Sequence, residues 1–171
     1  MSGDNLDEPI QSVFTTIRDS ITAARKTLYK ELAASVDDDI FTRLQTIPGV
    51  GPYVSASLVG EIQSMERFSS AHALVAYAGL DPRVRQSGKS LNSTGRLSKR
   101  GSSYLRRSLF IAANVARQHD PVLRALYDKK RAEGKGHKVA TVVVARKLLT
   151  IVRAVWLSEA NYDPLFGTKK G

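Results

Sequence analysis

The chain has 171 residues, of which 42% are hydrophobic and 25% charged, a composition that supports a folded core and excludes a disordered polyelectrolyte. It contains no cysteine, which excludes a disulfide framework and thiol chemistry. The net charge of +10 is uneven: residues 1–40 carry eight acids and four bases, the rest eight acids and twenty-two bases. A field of one sign attracts a polyanion, nucleic acid before an acidic membrane surface.

The leader, residues 1–8, is polar and acidic, the opposite of a secretory signal, and fits a cytoplasmic protein. From residue 9 to about 38, Ile10, Val13 or Phe14, Ile17, Ile21, Ala24, Leu28 and Leu32 recur at steps of three and four. This is a single apolar stripe on a coiled-coil-like helix, suited to pairing two copies in a homo-oligomer or to packing on the domain. "SVDDD" then supplies caps for a short helix, "IFTRLQT".

The stretch "LQTIPGVGPYVSASLVGEI" reads as two helices joined by a glycine turn, with Pro52 in the first turn of the second. Such a helix-hairpin-helix offers the backbone of Gly49, Val50 and Gly51 to a DNA phosphate, independently of base sequence. The same glycines also suit an ordinary tight turn. "SSAHALVAYAGL" predicts a helix capped by Ser69 or Ser70 and stopped by Gly79.

Residues 83–101, "RVRQSGKSLNSTGRLSKRG", combine three glycines, four serines and six bases with no acid. They predict a basic loop or small hairpin. No acidic residue stands between Asp81 and Asp120. Three amphipathic helices follow: "YLRRSLFIAANVARQH" starting at Ser102 or Ser103, "PVLRALYDKKRAEG" ending at Gly134, and one from His137 to Glu159. The last is too interrupted by Arg146, Lys147 and Arg153 to cross a membrane. Residues 161–171 read as a frayed tail. The fold class is all-α.

His72, His119 and His137 are too dispersed for a metal site. No G-x-x-x-x-G-K-[ST] loop is present for ATP. A covalent route remains: phosphoryl transfer needs a nucleophile and fixed positive charge. Ser87, beside Arg83, Arg85 and Lys89, and Ser98, between Arg96 and Lys99-Arg100, both meet that description, and the residues alone do not rank them. Tyr53, Tyr77, Tyr104 and Tyr127 are rival nucleophiles, mostly at helical positions that read as core. A non-catalytic nucleic-acid-binding module fits the same residues.

The ordered motifs "TIPGVGP…SASLVGEI…RFSSAHALVAYAGLDP…QSG…GRLSKRGSSYLRRSLFIAA", then "ARKLL", resemble the C-terminal transposase domain of the DEDD–serine insertion-sequence transposases. These are DNA recombinases guided by a bridge RNA. The resemblance covers residues 40–155 and implies a transposase domain at 39–160, preceded by the end of a connecting coiled coil. It implies Ser87, in the "QSG" motif, as the nucleophile that becomes covalently joined to DNA. Arg83, Arg85, Lys89 and Arg96 would neutralise transition-state charge, and Lys99, Arg100 and Arg106 would hold the DNA backbone. The family's ribonuclease-H-like domain, with its acidic set and divalent metal, has no room here. That implies a truncated copy, a fragment or half of a split system, one that binds DNA without recombining it unless a partner supplies the acids. The implied partners are DNA and guide RNA, with no cofactor held by this chain.

Overall fold

The computed structural model describes residues 7–35, 38–81 and 101–164. Their regular structure is all helical, with no strand among them, as the periodicity predicts. The chain divides into two units, Met1–Asp37 and Asp38–Gly171.

The first unit is one helix, α1 (Asp7–Ser35). Its stripe is exposed: Ile10, Val13, Phe14, Ile17, Ile21 and Leu28 each keep at least half of their surface open to solvent.

The second unit holds α2 (Asp38–Leu44), α3 (Pro52–Ile62), a 3-10 turn (Met65–Arg67), α4 (Ala71–Tyr77), α5 (Ser103–His119), α6 (Pro121–Ala132) and α7 (His137–Ser158). Its centre is α7, which packs on α2, α4, α5, α6 and the 3-10 turn. Val144, Leu148, Leu149 and Val152 of α7 are completely buried, as are Leu105, Leu109, Ala112 and Ala116 of α5, which packs on it. Such complete burial lets dispersion and the removal of apolar surface from water act together.

Local chemistry places the ends. The hydroxyls of Ser70 and Ser102 accept from the N–H groups of Ala73 and Leu105 and so cap α4 and α5. Asp120 Oδ1 accepts from Leu123 N–H at 2.8 Å and starts α6, with Pro121 in its first turn. Gly79 and Gly134 take positive φ, 66° and 78°, after α4 and α6. These are the left-handed stops that glycine permits at a helix C-terminus. The 3-10 turn at Met65–Arg67 lies in a stretch whose periodicity is too short to announce it.

One expectation changes. The tail does not fray at its start, because Tyr162 is tied down twice. Its backbone N–H donates to Thr46 Oγ1 at 2.9 Å, and its hydroxyl donates to Asp120 Oδ2 at 2.5 Å. Both partners are far away in sequence, so no local pattern betrays the clasp.

Candidate nucleic-acid interface

The α2–turn–α3 hairpin is the first element of the site. Val50 N–H donates to Ile47 O at 2.9 Å and closes the turn, while Ser55 Oγ donates to Phe41 O at 2.8 Å and joins the two helices. Gly49 takes φ +85°, and a side chain there would lie 2.4 Å from Ala112 O and 2.7 Å from Ala116 N. The glycine therefore lets the turn lie directly on the backbone of α5. Val50 is buried, whereas Gly51 is exposed at the N-terminal end of α3 with open space around it. Of the three turn residues, Gly51 is the one on the open surface. Exposed Tyr53 follows it, and the first N–H groups of an α-helix lack intrahelical acceptors.

The second element is the α4–α5 junction. Gly101 fits so closely against α4 that a Cβ on it would stand 1.7 Å from Tyr77 O and 2.7 Å from Gly79 N. Ser102 N–H donates to Tyr77 O at 3.0 Å. Arg106 reaches back to Ala78 O at 3.4 Å, so this predicted backbone-holding residue also fastens α5 to the α4 turn. The α4 turn itself is braced from α3: Tyr77 Oη donates to Glu61 O at 3.2 Å. Arg67 lies over the rings of Phe68 and Tyr77, at 5.6 and 5.7 Å. The chain thus leaves at Asp81, two residues beyond Gly79, and is gripped again at Gly101 against Gly79. Ser87, Ser98, Arg83, Arg85, Lys89, Arg96, Lys99 and Arg100 all lie outside the described residues.

The rival tyrosines are sorted by exposure. Tyr53 and Tyr104 are exposed, at 48% and 73%, rather than core as their helical positions suggest; Tyr77 and Tyr127 are half-buried. All three histidines lie on the surface.

A further basic surface escaped the sequence reading. Around the α6–α7 turn, Lys129, Lys135 and Lys138 are exposed. Arg117 stacks on the Tyr127 ring at 4.5 Å, and the Tyr127 hydroxyl meets His137 Nδ1 at 2.7 Å. Glu133 is the local counter-charge. A hydrogen bond from Lys130, opposed by slight desolvation and aided by the fields of Lys130, Lys129 and Lys135, holds its carboxyl below the usual range. The signal was present as "DKKRAEGKGHK", although a charge run on a helix is ordinarily a solvated face.

Residues 41–128 match the profile of the transposase IS116/IS110/IS902 family, an interval that contains most of the hairpin and all of the α4–α5 junction. The chain belongs to this family. It is 32% identical over 120 residues to an insertion element IS110 protein of Streptomyces coelicolor, covering 70% of this chain and 29% of that protein. An insertion element IS900 protein of Mycobacterium paratuberculosis is 34% identical, over 70% of this chain and 30% of the other. A pilin gene-inverting protein of Moraxella bovis is 35% identical, over 70% and 38%. The chain thus spans about a third of the length of these relatives. The transposase resemblance read from the motifs holds at the level of the family. Among the described residues, no helix of this family member is long and apolar enough to cross a membrane.

Proposed function

We propose that this chain is the C-terminal DNA-binding and strand-exchange part of an insertion-sequence recombinase, with Ser87 as nucleophile. The observation that best supports the reading is the attachment of the basic segment. Its ends meet at the α4–α5 junction, where Gly101 abuts Tyr77 O and Gly79 N. A reactive group is best presented from a rigid support.

In the proposed step the Ser87 oxygen attacks a DNA phosphorus. A P–O bond to serine forms as the P–O bond to one sugar breaks; the serine proton passes to a base and the leaving sugar oxygen takes up a proton. The phosphodiester bond is exchanged rather than hydrolysed, so the step requires no nucleotide cofactor. Arg83, Arg85, Lys89 and Arg96 would stabilise the developing oxyanions, and Lys99, Arg100 and Arg106 the flanking phosphates. Gly51 at the start of α3 would meet another phosphate. No group of three or more His, Asp or Glu among the described residues is arranged to hold a metal. Guide RNA and the acidic metal-binding set would belong to a ribonuclease-H-like domain. The exposed stripe of α1 supports pairing with a second copy of the chain, since apolar residues at steps of three and four form the seam of a coiled coil.

The test is a covalent trap. The chain is incubated with labelled DNA, with and without a separately supplied acidic domain and guide RNA, then denatured and mapped by mass spectrometry. The expected result is an adduct on Ser87 that Ser87→Ala abolishes while binding persists. Salt-sensitive binding with no adduct in the complemented reaction would leave a non-catalytic DNA-binding module.

A further inference from the structure

Between α4 and α7 lies a groove of about 300 Å3, lined by Ala71, His72 and Val75 on one side and Arg146, Lys147 and Thr150 on the other. It is far larger than the ~30 Å3 of a single water. Ala71 and Val75 give it apolar surface, His72, Arg146 and Lys147 give it a rim of nitrogen donors, and no acidic residue lines it among the described residues. Walls of low dielectric concentrate the field of such a rim.

Two of the three donors share one ion-pair partner, Asp81, at long range. Arg146 makes no hydrogen bond among the described residues; its one partner is Asp81 Oδ1, at 3.9 Å. His72 Nε2 stands 3.6 Å from Asp81 Oδ2. Both separations exceed hydrogen-bonding distance, so Asp81 draws the two heads together without occupying their N–H groups. Asp81 Oδ1 is itself closed off from solvent. Lys147 is exposed and has no partner among the described residues. Thr150 Oγ1 donates to Arg146 O at 3.1 Å.

We propose that this groove binds a phosphodiester of the DNA backbone, with Arg146 and Lys147 from α7 and His72 from α4 as the donors. The assignment rests on the DNA-binding reading above, to which it adds a phosphate site built from the Arg146-Lys147 pair of the "ARKLL" stretch and from His72, far away in sequence. Guanidinium and ammonium groups side by side at one groove, with no acceptor within hydrogen-bonding distance among the described residues, suit a tetrahedral oxyanion, and arginine supplies a planar fork that matches phosphate geometry.

The test uses the full chain, a short duplex DNA, fluorescence anisotropy and a salt series. Arg146→Gln with Lys147→Gln is expected to weaken binding about tenfold and to make the slope of log affinity against log salt shallower by about one. Lys147→Gln alone, at an exposed position that leaves folding intact, is expected to weaken binding about threefold. In parallel, backbone NMR with duplex DNA is expected to shift the amides of 71–75 and 146–150. Variants that match the wild-type affinity and slope, with those amides unmoved, overturn the groove and leave the DNA-binding reading standing. A response to inorganic phosphate alone, or to single-stranded RNA in place of the duplex, overturns the assignment to DNA. A wild-type chain that binds no duplex at low salt overturns the DNA-binding reading itself.

Discussion

Helices α1 and α7 carry similar sequence patterns and have opposite fates. Both place apolar residues at steps of three and four, yet Phe14 of α1 is 69% exposed and Leu148 of α7 is completely buried. Periodicity states which face of a helix seeks cover; it does not say what covers it. For α7 the answer comes from four other helices of the same unit, each supplying its own apolar face. For α1, the one helix described in its unit, no neighbour in that unit supplies a face, and a second copy of the chain is the proposed cover.

This contrast can be broken by mutation. The largest effect is expected from Leu148→Ala, which removes a buried side chain from the centre of the core and should cost about 2–5 kcal/mol in urea unfolding. Next come Gly101→Ala and Gly49→Ala. Each drives a methyl group into backbone atoms of a neighbouring helix or turn and should cost about 2 kcal/mol by the same measurement. If Gly101→Ala instead leaves stability unchanged, the close grip at the junction is wrong.

Tyr162→Phe is expected to cost about 1–2 kcal/mol, because Asp120 Oδ2 loses a donor. It also has a pH signature. Burial first, then the hydrogen bond to Asp120 and the charges of Asp120 and Asp163, raise the Tyr162 hydroxyl above its ordinary value of 10.0. The folded chain therefore keeps this proton where the unfolded chain releases it. The stabilisation is fully present below pH 10 and declines as pH rises from there toward the folded value. The wild type should lose its margin over Tyr162→Phe in that alkaline window, and a margin that grows with pH would contradict the clasp. The smallest effect is expected from Phe14→Ala in α1, within about 0.5 kcal/mol for the helical domain. Sedimentation across a concentration series would show whether the same change weakens self-association.

Much of the fold is legible because helix ends are local chemistry. Ser70, Ser102 and Asp120 cap through their own side chains within three residues, and Gly79 and Gly134 stop helices through their own φ. The "IPGVG" turn is visible for the same reason. Its role is less so. The pattern marks Gly49 as a turn glycine, but only the packed structure shows it pressed on α5, with Gly51 the exposed member. Tyrosines were harder still: an apolar body with a polar end suits core and surface equally, and Tyr104 proves to be on the surface.

The amino-acid sequence by itself determined the helical class, the order of the helices, the acid-free middle of the chain and the motifs that place it in its family. Those depend on neighbours a few residues apart. Tertiary structure alone decided which stripe is buried, why Gly49 and Gly101 must be glycine, that Tyr162 clasps Asp120, and that His72 meets Arg146 and Lys147 across one groove. Each of these joins atoms from distant parts of the chain, and their approach is fixed by the packing of whole helices rather than by any local preference.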